Sequence, residues 1–321
     1  MSRHRWTGAL ALAALLSAAS LPSPLASAPA PAPGAKRMLI VSIDGLRPDV
    51  LLRAGSPAIR GLMARGSFSM WATTTAVAVT LPSHVSMLTG VTPARHGVTW
   101  NSDQPTARRV YPARPTLFEL AKAAGLTSAM AAGKSKFSTL AKPGTLDWSM
   151  VPEDDELPDS VVTDVAVGWI RAHAPQVMLV HLPDVDLAGH DAGWGSSLQL
   201  EAIERADRCV ARLLGELGRR GLLDSTVVLI TSDHGGARKG HGANDPRSRH
   251  IPWIIAGPGI RKGFDLTRVR DLDVRTEDTF ATACELLGLR VQGSIDGRPV
   301  RAALAAGEAP EALTPATPHP R

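Results

Sequence analysis

The stretch Val227-Val228-Leu229-Ile230-Thr231-Ser232-Asp233-His234-Gly235-Gly236 is a run of four branched apolar residues, then a polar turn that sets a carboxylate beside an imidazole and closes on two glycines. Such a run describes a buried strand, and an α/β sheet carries its chemistry at the carboxyl ends of its strands. An adjacent Asp-His pair offers one hard oxygen and one borderline nitrogen, a donor set that suits zinc better than calcium or magnesium. A solvated Asp in a strand-end turn followed by a helix cap explains the same letters. The stretch alone therefore leaves metal binding open.

The run Met38–Ile43 ends at Asp44-Gly45 and repeats the design. Two strand endings of this kind in one sheet can converge, which raises Asp44 above an ordinary turn Asp before the helix that Pro48 can start. A third run, Val177–Leu182, leads to Asp186 and His190, four residues apart and so on one face of a helical turn, where they can hold one ion together. Asp184, six before His190, does not share that face. Between these runs lies Val79-Thr80-Leu81-Pro82-Ser83-His84-Val85-Ser86-Met87-Leu88-Thr89-Gly90. Pro82 is placed to open a helix and Gly90 to cap it, so Thr80 falls just ahead of a helix start, whose N–H groups and dipole favour phosphate. A Thr hydroxyl is a poor nucleophile unless a base or metal activates it; otherwise Thr80 is an N-cap.

Helix patterns at Pro57–Arg65, Thr116–Gly125, Asp159–His173, Leu200–Gly221 and Thr276–Gly288 alternate with the strand patterns. This alternation predicts an α/β fold, a three-layer α/β/α sandwich with a mostly parallel central sheet. The 321 residues, 44% hydrophobic and without internal repeats, suffice for one large core or two small ones. Met1 to Ala28 has a basic start, an apolar run from Gly8 to Leu16 and an Ala26-Ser27-Ala28 cleavage pattern, which reads as a secretory signal. The run is far short of the ~20 residues of a membrane span. Residues 29–36 read as a Pro/Ala linker, 37–303 as the catalytic domain and 304–321 as a mobile Pro/Ala-rich tail. The net charge of +5 drops to +3 without Arg3 and Arg5, too mild and too evenly spread for a nucleic-acid polymer as partner. The expected product is exported to the periplasm or the extracellular space. Export permits a disulfide between Cys209 and Cys284, although both fall in helix-like apolar segments that favour buried thiols.

Taken together, Ser42-Ile43-Asp44-Gly45, Thr80-Leu81-Pro82-Ser83-His84, Asp186 to His190 and Ser232-Asp233-His234-Gly235 resemble the alkaline phosphatase superfamily, nearest its nucleotide pyrophosphatase/phosphodiesterase branch. The motifs keep the family's order and run from Met38 to about Pro299. The resemblance implies two divalent metal ions, zinc favoured: one on Asp44, Asp233, His234 and the Thr80 oxygen, the other on Asp186, His190 and a third ligand. His241, between two glycines, fills that place in short bacterial members; His250, just before an apolar strand, is the competitor. It further implies that Thr80 is the nucleophile of a covalent phospho-threonine mechanism and that Asn101 helps hold a phosphate oxygen. Lys134 and Lys136 match a substrate-contacting Lys-x-Lys of phosphonoacetate hydrolases, while a solvated basic turn is the competing reading. Ser83 departs from the family's usual Asn, and His84 reads as a structural or supporting hydrogen-bonder. The implied substrate is a small phosphodiester or nucleotide pyrophosphate, with monoesters or phosphonates next. A non-catalytic, metal-stabilised binding protein would keep the ligands without needing Thr80.

Overall fold

The computed structural model describes residues 34–102, 110–154, 156–242 and 244–305, so the secretory-signal reading and most of the tail lie outside the described residues. Eight strands form one sheet: β1 (Arg37–Ile43), β2 (Gly66–Thr73), β3 (Ser128–Ala132), β4 (Trp148–Met150), β5 (Val177–Leu182), β6 (Thr226–Thr231), β7 (His250–Ala256) and β8 (Phe264–Asp265). Their order is β4-β3-β5-β1-β6-β7-β2-β8. The strands β4, β3, β5, β1 and β6 are mutually parallel; β7 is antiparallel to both β6 and β2.

The helices are α1 (Pro48–Leu51), α2 (Pro57–Arg65), α3 (Thr80–Thr89), α4 (Pro93–His96), α5 (Leu117–Ala123), α6 (Asp159–His173), α7 (Asp184–Ala192), α8 (Ser197–Arg219), α9 (Pro246–Arg249) and α10 (Asp278–Leu287). Successive side chains of a strand face opposite ways, so the continuous apolar strands feed two cores. On one face Met38, Ile40, Leu179 and Leu229 pack with Leu81, Phe118 and Phe280 of α3, α5 and α10. On the other, Leu39, Val41, Val180 and Ile230 pack with Ile59, Ile170, Ile203 and Leu213 of α2, α6 and α8. This is the three-layer sandwich that the alternation of elements predicts. Cys209 and Cys284 are buried and free, one in each core, with the sheet between them.

Two boundaries differ from the expectation. The helix expected to open at Pro82 starts at Thr80, with Val79 extended before it and Gly90 closing it at φ 69°. Pro is tolerated throughout a first turn because the N–H it lacks has no helical partner there. At the two ends of the domain, Lys36 N–H donates to Ser225 O and Ala305 N–H to Gly259 O, while Leu304 pairs with Ile260. The last linker residue and the first two tail residues are therefore tied to the sheet's far side. Among the described residues no helix is long and apolar enough to cross a membrane.

Candidate metal and catalytic site

Because β1, β3, β5 and β6 run in one direction, their carboxyl ends deliver Asp44, Lys134, Asp186 and Asp233-His234 to one edge of the sheet. Thr80 reaches the same edge after β2, and His241 lies in the loop between β6 and β7. Glycines make room for this convergence. Gly45 sits at φ 70° with Asp186 Cα 3.0 Å from where a Cβ would stand, so any larger residue would displace Asp186. At Gly236 a Cβ would meet the Trp194 indole at 2.3 Å, and that indole donates to Gly45 O.

The site residues predicted from sequence fall into an inner and an outer group. In the inner group Asp44, Asp233 and His234 are fully buried and Thr80 nearly so. His234 Nε2 lies 3.3 Å from Asp44 Oδ1, 3.3 Å from Asp233 Oδ2 and 3.4 Å from Thr80 Oγ1. In the outer group Asp186 Oδ1 lies 3.5 Å from His190 Nε2 and 3.9 Å from His241 Nε2. Donor atoms of Asp186, His190 and His241 come within 4.8 Å of one another, as do those of Asp44, Asp186 and His234. Asp186 thus borders both groups.

The hydrogen bonds fix what each imidazole can do. Nδ1 of His234 contacts Gly235 O at 2.9 Å, Nδ1 of His241 contacts Ala78 O at 2.9 Å, and Nδ1 of His190 contacts Lys239 O at 3.0 Å. A carbonyl only accepts, so in all three rings Nδ1 carries a proton, and in the neutral ring Nε2 presents its lone pair to a carboxylate. Facing those lone pairs are Asp44 Oδ1, Asp186 Oδ1 and Asp233 Oδ2, buried oxygens with no hydrogen-bond partner. In the dry inner group, lone pair set against lone pair is unfavourable unless a proton or a metal cation stands between them. The residues therefore fit two divalent ions. Burial, reinforced by Asp44 and Asp186, pushes the Asp233 carboxyl well above its usual range, so the protein's own charges do not keep all three carboxylates ionised. Burial likewise pulls His234 down to about 4 and keeps it neutral, the form that binds metal.

Other predicted residues take different places. His84 donates from Nδ1 to Thr80 O at 2.8 Å and accepts the Ser42 hydroxyl on Nε2 at 2.7 Å, so its lone pair is used within the protein. Ser83 Oγ contacts the Thr74 and Thr75 hydroxyls and is a packing residue. Asp184 and Asp159 each accept the other's backbone N–H, away from the ligand groups. His250 stacks on the exposed Trp71 at 3.9 Å, outside both groups. Asn101 Oδ1 accepts the Leu81 N–H at 2.8 Å. The helix start is consequently a weaker phosphate cradle than expected: Asn101 holds one N–H, Pro82 has none, and the Ser83 N–H turns back to Val79 O. Val79, not Thr80, holds the N-cap position, and its side chain makes no capping bond.

Lys134 is the largest departure from the sequence reading. It is buried, not a solvated basic turn, and its Nζ lies 2.9 Å from Asp44 Oδ2 and 2.7 Å from Asp186 Oδ2. Burial alone would discharge this amine, but Asp44, then Asp186 and Glu156, hold it charged well beyond the ordinary lysine range. Lys136 sits half-buried in the following turn. His181, not singled out from sequence, also supports the site. It accepts the Gly133 N–H on Nδ1 and therefore donates from Nε2 to Asp44 Oδ2 at 3.0 Å. The available signal was an imidazole inside the otherwise apolar strand Val177–Leu182.

Comparison with known proteins agrees with this architecture. The type I phosphodiesterase/nucleotide pyrophosphatase family matches residues 38–239, more than half of the chain, and a sulfatase family matches residues 196–289. The chain belongs to the type I phosphodiesterase/nucleotide pyrophosphatase family. It is 25% identical over 224 residues to bis(5'-adenosyl)-triphosphatase enpp4 of Mus musculus, covering 64% of this chain and 48% of that one. Over 144 residues it is 32% identical to a 2,3-bisphosphoglycerate-independent phosphoglycerate mutase of Synechococcus elongatus, covering 43% of this chain and 26% of the other. The chain thus spans about a quarter to a half of the length of these curated relatives. Among solved structures, an inactive threonine-to-alanine variant of murine ectonucleotide pyrophosphatase/phosphodiesterase 5 in complex with AMP superposes with a TM-score of 0.66 at 16% identity. That superposition covers 80% of this chain and 96% of the other, and it shows a shared fold.

Proposed function

We propose that the chain is an exported, divalent-metal-dependent hydrolase of small phosphodiesters or nucleotide pyrophosphates, with Thr80 as its nucleophile. The observation that supports this best is the set of three imidazoles, each with its proton on a backbone carbonyl and its Nε2 lone pair turned on an unpartnered, buried carboxylate oxygen. Asp44, Asp233 and His234, with Thr80 Oγ1, would hold one ion, and Asp186, His190 and His241 the other. Two divalent ions, zinc in this reading, would supply Lewis acidity toward the attacking, leaving and non-bridging oxygens of an in-line displacement.

The chain's own residues contribute orientation and dryness. Thr80 Oγ1 gives up its proton to solvent and attacks phosphorus, the ester or pyrophosphate oxygen departs from the opposite side and is protonated from solvent, and a threonine phosphate ester forms. Water cleaves that ester in a second in-line step, which gives net retention at phosphorus. His84 fixes the backbone under the nucleophile through its bond to Thr80 O, and Asn101 braces the next residue. With its Oδ1 on Leu81, the Asn101 amide nitrogen is the group left to meet a phosphate oxygen. The monoester or phosphonate alternative drew on two lysines, and Lys134 is engaged by Asp44 and Asp186. The diester reading is favoured for that reason.

The test is turnover of bis(p-nitrophenyl) phosphate against p-nitrophenyl phosphate by metal-loaded wild type and Thr80→Ala. The expected result is faster diester turnover and a loss of roughly a thousandfold or more in the variant. Equal rates for variant and wild type would remove Thr80 from the reaction. Failure of wild type on both esters would favour a metal-stabilised binding protein instead.

A further inference from the structure

Two buried carboxylates, Asp44 and Asp186, each have two oxygens, and the structure divides them in the same way. Oδ2 of both residues lies against Lys134 Nζ, at 2.9 and 2.7 Å. Oδ1 of both residues is unpartnered and faces the imidazole lone pairs. The amine comes from the turn after β3, beyond β5 in the sheet, so it crosses from a third strand end to reach between the two ligand groups. It is 3% exposed, and among the described residues its other acidic neighbour is Glu156, with Oε1 at 3.8 Å. His181 adds a second donor to Asp44 Oδ2 at 3.0 Å. The Oδ2 side of each carboxylate is thus closed by protein donors and the Oδ1 side is open.

We propose that Lys134 is a positioning residue that clamps the outer oxygens of Asp44 and Asp186, so that each offers one oxygen to its metal ion and the two ion positions keep a fixed spacing. The inference rests on the two-ion reading above. A carboxylate free at both oxygens can bite a metal in a bidentate manner, which raises the coordination number and moves the ion. An ammonium already bonded to Oδ2 prevents this on both sides at once. It also joins the inner and outer groups mechanically, because a shift of Asp44 is carried through one nitrogen to Asp186. Lys134 therefore acts on the ions through the carboxylates and has no contact with substrate in this role, in contrast to the substrate-contacting lysine expected from sequence.

The experiment loads wild type and Lys134→Met with cobalt(II) and reads bound metal, affinity by competition with a chromophoric chelator, and the visible d–d bands. Those bands weaken as the coordination number rises. Wild type is expected to bind two ions with intense bands. In Lys134→Met the bands should weaken as the freed Asp186 Oδ2 joins its ion while His181 still holds Asp44 Oδ2, and affinity for the second ion should fall about tenfold or more, the usual size of such supporting effects. Wild-type bands and affinities in the variant would overturn the clamp. So would tighter binding of both ions with unchanged bands, since that is what loss of a mere counter-charge produces. If Lys134→Met does not fold, a crystal structure of cobalt-loaded wild type decides. Nζ within hydrogen-bonding distance of both Oδ2 atoms supports the clamp, and a lysine swung away with Oδ2 on a metal overturns it. Wild type that binds no metal removes the two-ion reading together with the clamp, whereas two bound ions with an unaltered variant remove the clamp alone.

Discussion

The inner and outer ligand groups are built from the same residue types but sit in different surroundings. Asp44, Asp233 and His234 have no exposed side-chain surface, whereas the His190 side chain is 44% exposed and that of His241 11%. The inner ligands leave two adjacent strand ends, β1 and β6, and are fixed by the sheet itself. The outer imidazoles sit on α7 and in a loop, each with Nδ1 on one backbone carbonyl and its ring against Trp194, while His241 also stacks on His234. Depth therefore separates the two halves more than chemistry does. The inner ion should be part of the folded structure, and the outer one should exchange with solvent.

The largest expected effect comes from the inner group. Asp233→Asn should leave the protein with one tightly bound ion and lower diester turnover by roughly a thousandfold or more, without recovery in excess zinc. Metal analysis alongside a zinc titration of activity checks this, and full recovery at high zinc would erase the distinction between the groups.

The next effect separates burial of an imidazole from metal ligation. His96 is buried outside the ligand groups; Nδ1 accepts the Val98 N–H at 3.1 Å, so Nε2 donates to Ser86 Oγ at 3.0 Å. Burial pulls its pKa down from 6.5 to about 4. The unfolded chain then holds one more proton than the folded chain between those values. Stability is full above 6.5 and declines as pH falls toward about 4, by on the order of 3 kcal/mol from this residue. Urea unfolding of wild type and His96→Gln across that window should show a shallower decline in the variant. An identical decline would assign the acid sensitivity to other groups.

The smallest effect belongs to the rim. His190→Ala should weaken one ion by about 10- to 100-fold and lower turnover at limiting zinc, with most of the activity restored by excess metal. Chelator titration of wild type should likewise remove this ion first. Loss of both ions together would mean that the two halves bind as one unit.

How much of this was legible in the sequence follows from what is local. The runs Met38–Ile43, Val177–Leu182 and Val227–Ile230 announce strands because each holds four apolar residues in a row, rich in β-branched types, and each is followed by its own carboxylate. The four-residue spacing of Asp186 and His190 is likewise a property of one helical turn. The structure shows a capping box of Thr116 and Glu119 at the start of the helix expected over Thr116–Gly125, a signal that is equally local. Lys134 and His181 were not legible in the same manner. Their roles depend on β5 lying beside β1 and β3 beyond β5, and strand order is set by long-range packing that no short motif records. The start of α3 was misplaced by two residues because proline marks a first turn without saying which position in it.

The separation of Cys209 and Cys284 by the whole thickness of the sheet has a practical corollary. No movement short of unfolding could join them, so maturation of this domain requires neither an oxidant nor a thiol isomerase. The same native state should be reached in a reducing cytosol and in an oxidising compartment.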